Sequence, residues 1–342
     1  MKTKQRVTQG QRALALGWLG LVVCLGIFAP WLPLPYPPAT SDALALSTPP
    51  QVSSAIAGAH WLGTDALGRD VLTELIFGCR TLLLVSLPAT LLLTGMGMAF
   101  GSAAGYYAAS GLKLAKAYWL ALTLFMVCTL AYAPLFKAGN EAALFQWLLA
   151  SGLCIALALL LRHIGWGRQP TALPLDSLVL GSAALLSSVP RLILVLTVAA
   201  ILPLSFVSMP LLLGLTCWPG MMRLVRAEAL RIRQLPYIEA ARALGLPDIR
   251  IVSRHVLPGL WPVVRAAFPF YLTLIVTTET TISFLGVGLP AETASWGHLL
   301  SSARLAPGNW WLIVFPGFSL VCTIISLRFL THKQLFSAVI PK

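Results

Sequence analysis

The sequence predicts an all-α protein, a polytopic transmembrane helical bundle of about eight spans. Composition is the first reason: of 342 residues, 58% are hydrophobic and 10% charged, with a mean hydropathy of +0.83. Soluble domains carry roughly a quarter charged residues, so a soluble fold of this length could not cover so much apolar surface. The second reason is where the charges fall. Lys+Arg number 24 against 11 Asp+Glu, a net charge of +13, and the basic residues lie between apolar runs, as in cytoplasmic loops. A nucleic-acid binder would instead set them on a soluble face among aromatics, and that class is excluded.

Runs long enough to span occur at about 13–33, 81–107, 115–135, 142–161, 177–203, 209–225, 263–287 and 309–330. The first follows a basic start (Lys2, Lys4, Arg6, Arg12) and reaches Pro33 without a small-residue cleavage site, so it reads as an uncleaved span. Pro88, Pro190, Pro219, Pro269 and Pro316 are expected to kink helices, which packed membrane bundles tolerate. With the N-terminus inside, Lys113, Lys116, Arg162, Arg168, the basic run from Arg223 to Arg265 and the tail all fall on the cytoplasmic side, and both termini are cytoplasmic. The six cysteines lie in or beside apolar runs without C-x-x-C spacing and read as small core residues. No His/Cys/carboxylate cluster suggests a metal site.

The organisation expected is an N-terminal span, extracytoplasmic loop and elbow helix over 1–80, a transmembrane domain over 81–330, and a short cytoplasmic tail over 331–342. In the first loop a Pro-rich stretch, PWLPLPYPP, reads as an extended connector. It leads to HWLGTDALGRDVLTELIFGCR, where Thr64 or Asp65 would cap a helix. Leu67, Val71, Leu72, Leu75 and Ile76 would share one face, with Arg69, Asp70, Thr73 and Glu74 away from it. That pattern predicts an amphipathic elbow at the membrane surface.

The loop at about 226–262 contains LPYIEAARALGLPDIRIVSRHVLPG. Pro236 suits a first helical turn and Glu239 the positive end of the helix dipole. Gly245 and Pro247 stop the helix, and a second short helix would run from Asp248 to just before Pro258. Ala240, Ala241 and Ala243 would give the projecting hairpin a smooth tip able to seat in a partner's groove. Within the spans, Arg191 and Glu279 are charges costly enough to be informative. Arg191 would line a pathway or pair with Glu279; Glu279 would serve helix packing first.

Three separated stretches resemble one family. The EAA of Glu239, Ala240 and Ala241, with Tyr237, Gly245, Leu257 and Pro258 around it, resembles the ATPase-docking loop of ABC-importer permeases. LGTDALGRDVL, with Gly63, Thr64, Asp65, Gly68, Arg69 and Asp70, resembles the leader of the C-type subunit of dipeptide/oligopeptide/nickel permeases. ISFLGVGLPAETASWGHLL and FPGFSLVCTIISL resemble the family's last segments. The resemblance implies a type I permease fold in a bacterial inner membrane, a sister permease, two ABC ATPase subunits and an extracytoplasmic solute-binding protein. The substrate implied is a peptide or a related small solute such as a nickel chelate, and Arg191 would meet a carboxylate of a peptide-like substrate. No G-x-x-x-x-G-K-[ST] motif occurs, so no cofactor is expected here and ATP and Mg would be bound by partners. Two departures stand out: residues 111–172 insert two extra spans, topologically silent as a pair, and the tail ends SLRFLTHKQLFSAVIPK rather than in an acidic run. A secondary transporter is the rival reading. It would show repeated halves and broken helices holding ion ligands, and no repeat is evident.

Overall fold

A computed structural model describes residues 9–50, 60–108, 112–115 and 170–339, with short pieces between 124 and 160. Helix α1 spans Gln9–Phe28 and tightens into a 3-10 turn at Ala29–Trp31. Helix α2 (Val71–Thr81) passes through a π turn at Leu82–Ser86 into α3 (Leu87–Tyr107). The result is a continuous helix of 37 residues, about 55 Å long at 1.5 Å per residue, so one end projects beyond a hydrocarbon layer about 30 Å thick.

Next come α4 (Leu175–Ser188) and α5 (Arg191–Ile201), which meet at a 79° bend. Pro190 causes the bend: it sits in an extended conformation at the N-cap of α5, lacks an amide hydrogen, and disfavours helical geometry at the residue before it. Helix α6 (Ser208–Arg233) leads through α7 (Pro236–Ala243) to α8 (Asp248–Ile251). A π turn at Val252–Val256 then carries the chain into α9 (Leu257–Phe284). Short α10 (Trp296–Ser302) and long α11 (Trp311–Val339) complete the chain.

Among the described residues, four helical stretches are long and apolar enough to cross a membrane: Gly10–Trp31, Val71–Tyr107, Asp248–Phe284 and Trp311–Thr331. The bent α4–α5 pair makes a fifth if counted as one broken span. The helix expected at 209–225 runs on to Arg233, its second half charged by Arg223, Arg226, Glu228, Arg231 and Arg233. The spans expected at 115–135 and 142–161 lie outside the described residues. At their margins an antiparallel ribbon pairs β1 (Leu112–Ala115) with β2 (Pro170–Leu173), Leu112 opposite Leu173 and Ala115 opposite Pro170. It belongs to a compact unit of its own, Tyr106–Leu180, and apart from it the regular structure among the described residues is helical.

Two expectations are corrected. The elbow helix does not start at Thr64 or Asp65. Residues 60–70 fold into a tight loop, with a bridge between Thr64 and Asp70 and positive φ at Gly63 (80°) and Gly68 (78°), and α2 begins only at Val71. Nor do Arg69, Asp70, Thr73 and Glu74 face outward; all four are buried. The second correction concerns α8, which does not end before Pro258. Helix continues through the π turn to Phe284, 37 residues in all. The wider π turn accommodates a ring that would clash with the carbonyl four residues back and supplies no amide of its own. Pro88 sits just after the other π turn in the same way.

The core of the larger body joins α1, α2, α9 and α10 through Val22, Cys79, Leu82, Val276 and Trp296. Trp18 donates to Thr323 Oγ1 (3.0 Å) and packs edge-on against Phe318, tying α1 to α11. Gly97, Gly101 and Gly105 let α3 lie directly against Met221, Met222, Val225 and Ala229 of α6. Small residues one turn apart allow such close approach in membranes.

Candidate functional site: a projecting hairpin and a buried polar knot

At the α6 end of the bundle, α7 and α8 form a hairpin between two long helices. Pro236 occupies the first turn of α7 behind Leu235, and Glu239 lies in that first turn. The helix ends in a Schellman motif. Leu246 N–H donates to the Ala241 carbonyl (3.2 Å) and Gly245 N–H to the Arg242 carbonyl (2.9 Å), with Gly245 at φ 73°. A Cβ at Gly245 would meet nothing within 4 Å, so glycine is there for its backbone freedom, not for space. Ile238, Ala241, Ile251 and Val256 are buried. Glu239, Ala240 and Ala243 are exposed, and Leu244 and Ile249 are 82% and 79% exposed. Ala241 therefore anchors the hairpin from inside, and the outer surface is Glu239, Ala240, Ala243 and Leu244. Leu257 and Pro258 lie at the foot, where the π turn hands the chain to α9.

At the opposite end of α9, the LGTDALGRD stretch is the centre of a knot of buried polar groups. The fully buried Asp65 carboxylate accepts from the amides of Leu67 and Arg69 (both 2.8 Å), from Arg69 Nε (2.9 Å) and from Ser302 Oγ (3.4 Å). Arg69 donates onward to the Ala291 carbonyl (2.9 Å). Asp70 caps α2 through the Thr73 amide (2.9 Å) and holds His60 Nδ1 at 3.0 Å, while Tyr36 stacks on the His60 ring. Thr64 Oγ1 donates to the Ala45 carbonyl (2.5 Å) and accepts from the Thr48 amide (2.8 Å). Gly68 packs so closely on the Asp42 backbone that a Cβ would overlap it. Glu74 accepts from the Ala39 amide (3.0 Å). The knot thus ties residues 36–48, 60–74 and 291–302 together.

Tryptophans lock it to the helices: Trp311 Nε1 donates to the Thr64 carbonyl and Trp296 Nε1 to the Leu75 carbonyl, both at 3.0 Å. His298 of α10 is buried, its Nδ1 at 2.9 Å from the Thr293 carbonyl. Burial pushes this imidazole below its ordinary value, with the Arg69 charge adding to the effect.

Arg191 and Glu279 are not paired. Arg191 is exposed at the first residue of α5. Glu279 is buried in α9 and accepts from Ser283 Oγ (3.0 Å) and Thr280 Oγ1 (3.4 Å) on its own helix. Sequence reasoning missed the exposed Leu244 and Ile249, although two large apolar residues flanking a Gly-Leu-Pro turn were a legible sign. It also missed Ser302, Trp296 and Trp311 as knot residues, because their partners lie more than 200 positions away.

Comparison with known proteins agrees with this architecture. Residues 172–333, from β2 through most of α11, match the family described as binding-protein-dependent transport system inner membrane component. A Brucella suis protein named as a peptide transport system permease is 27% identical over 309 residues, 90% of this chain and 80% of its own. The dipeptide transport system permease protein of Bacillus subtilis is 24% identical over 79% of this chain and 65% of its own. The glutathione transport system permease protein of Pectobacterium atrosepticum is 24% identical over 91% of this chain and 80% of its own. Over most of its length the chain is thus similar to membrane permeases named for peptide transport, and residues 172–333 carry the pattern of the inner-membrane component of binding-protein-dependent transport systems.

Proposed function

We propose that this chain lines half of the translocation pathway of an ATP-driven peptide importer, alongside a sister permease, above two ABC ATPase subunits and below a solute-binding protein. Peptide is favoured as substrate because the relatives are named for peptide, dipeptide and glutathione transport. The observation that carries the coupling role is the hairpin. Leu244 and Ile249 expose large apolar side chains at the tip of a structure pinned at both ends. A helix presenting the exposed Glu239, Ala240, Ala243 and Leu244 suits a groove on a partner. Tyr237, Glu239, Ala240, Ala241 and Gly245 form the coupling element, and Leu257-Pro258 sets the angle at which α9 leaves it. The hairpin side is cytoplasmic, as are both termini, and ATP with Mg is bound and hydrolysed on the partners. Closure of the ATPase pair pushes the hairpin, and α6 and α9 carry the displacement into the bundle.

The test is co-purification of the tagged chain with its partners. Leu244→Asp is expected to leave the subunit inserted but to lose the ATPase and ATP-dependent uptake. Gly245→Asp should likewise abolish uptake in an inserted subunit. Normal ATPase retention and uptake in both variants would refute the coupling role, and uptake driven by an ion gradient without ATP would refute the importer.

A further inference from the structure

Two arginines lie where a lipid-facing charge is not tolerated. Arg191 is ten residues from the outer end of α5 at Ile201, about 15 Å at helical rise. Tyr271 is 13 residues from Phe284 in α9, about 20 Å, and Arg223 is 15 residues from Ser208 in α6, about 22 Å. Counted from those helix ends, all three fall inside a hydrocarbon layer about 30 Å thick, Arg223 deeper than the cytoplasmic place expected for the basic run it begins. Helices α5, α6 and α9 pack on one another and bring the three together. Arg223 Nη2 donates to Ser187 Oγ (2.9 Å) just before the bend. The Tyr271 hydroxyl lies against Gly220, where an added Cβ would stand 2.8 Å from it. Both arginines act electrostatically on that hydroxyl.

Both guanidinium groups are exposed on the single subunit, and the ion pairs among the described residues involve neither. Glu279, the nearest intramembrane carboxylate in sequence to Tyr271, is taken up by hydroxyls of its own helix. Intramembrane arginines face a water-filled path or a partner, not lipid. The first turn of α5 adds to the positive field: its N-cap is Pro190, with no side-chain cap on the free amides, at a break inside a span. Half-helix N-termini of this kind attract anionic groups.

We infer that Arg191, Arg223 and the Tyr271 hydroxyl, at the uncapped start of α5, form a mid-membrane subsite for the carboxylate of the translocating solute. A peptide's C-terminal carboxylate matches it: two planar donors for two oxygens, with the hydroxyl as a third donor. The subsite holds the anion only while the path is open to it, which keeps the charged end of the solute from stalling at the driest depth.

This subsite rests on the importer reading, and the test separates the two. Uptake of alanyl-alanine and of its C-terminal amide is measured in the whole importer, reconstituted with its ATPase and binding protein, each probe at a concentration that saturates the binding protein. Arg191→Gln with Arg223→Gln should slow the free acid by about tenfold or more, the usual effect of losing charge-assisted hydrogen bonds. The amide should slow by less than about twofold, and the double lysine variant should recover part of the acid uptake. Equal slowing of both probes, or unchanged acid uptake, would overturn the subsite. So would loss of the sister permease from the purified complex, cured by neutralising a carboxylate on that sister, because the arginines would then be interface partners. Wild type that carries neither probe would overturn the peptide reading itself. Wild-type uptake with an unselective variant would overturn only the subsite.

Discussion

Asp65 has no exposed surface, yet each of its oxygens is used, and that accounting dictates what its neighbours can tolerate. Arg69→Ala would leave a buried carboxylate short of its cation, a loss of about 3 kcal/mol. A fall in the thermal midpoint of the detergent-solubilised subunit, followed by tryptophan fluorescence, would register it; an unchanged midpoint would contradict the pairing. Gly245→Ala touches nothing new but forces a side chain into the left-handed region, costing about 1 kcal/mol locally. Faster amide exchange over 241–249 would show it. His298 supplies a pH dependence. Its native value is pushed down from the unfolded one, so the native state prefers the neutral ring. The associated stability is present above the unfolded value near 6.5 and is lost as pH falls through it towards the folded value. Exchange over 293–305 should quicken from pH 7.5 to pH 5, as about one protonation step would make it, and His298→Gln should flatten that change.

Among elements, α3 and α6 meet on glycine, and Gly101→Val tests that contact. A Cβ there would stand 2.7 Å from the Met222 carbonyl and 2.8 Å from Val225 Cβ. Backbone cannot yield as a side-chain tip can, so about 2 kcal/mol of overpacking is expected, visible as lost cysteine cross-linking between the two helices. Element by element, the apolar helices among the described residues and the hairpin were legible in the sequence, since long hydrophobic runs and a Pro…Gly-x-Pro frame are local signals. The start of α2 was not. Arg69, Asp70, Thr73 and Glu74 recur at a spacing that suits the outer face of a helix, and periodicity cannot distinguish exposed polar residues from buried ones with partners. Their partners, the Ala291 carbonyl, the Tyr36 carbonyl and the Ala39 amide, lie in other segments. Continuity at Pro258 was hidden for a related reason: proline reads as a stop unless a π turn precedes it, and no residue pattern announces one.

At the scale of the whole molecule, the stretch at 111–172 that is expected to be an insertion begins and ends in paired strands, Ala115 opposite Pro170. Paired strand positions lie about 5 Å apart, so excising 116–169 and closing with an Asn-Gly turn should leave a subunit that inserts and retains its ATPase. Co-purification checks this, and failure to assemble would mean the insertion is needed by the permease itself. The family resemblance was legible in the sequence because its motifs are short and local. Of the proposed arginine subsite, Arg191 was legible as a costly charge within a span; Arg223 and Tyr271 were not, because their place beside it depends on a bend at Pro190 and on three helices meeting. The π turn at Val252–Val256 has a further consequence, one of angular phase. A π turn holds one residue more than an α turn would use. Each residue of an α-helix advances the chain by about 100°, so the direction in which the hairpin points is set by a single residue count. Deleting one residue between 252 and 256 would let the turn rewind and swing α8 a quarter-turn around the axis of α9. The hairpin, still held by α6, could not follow, and the mismatch would fall on the short link between α7 and α8.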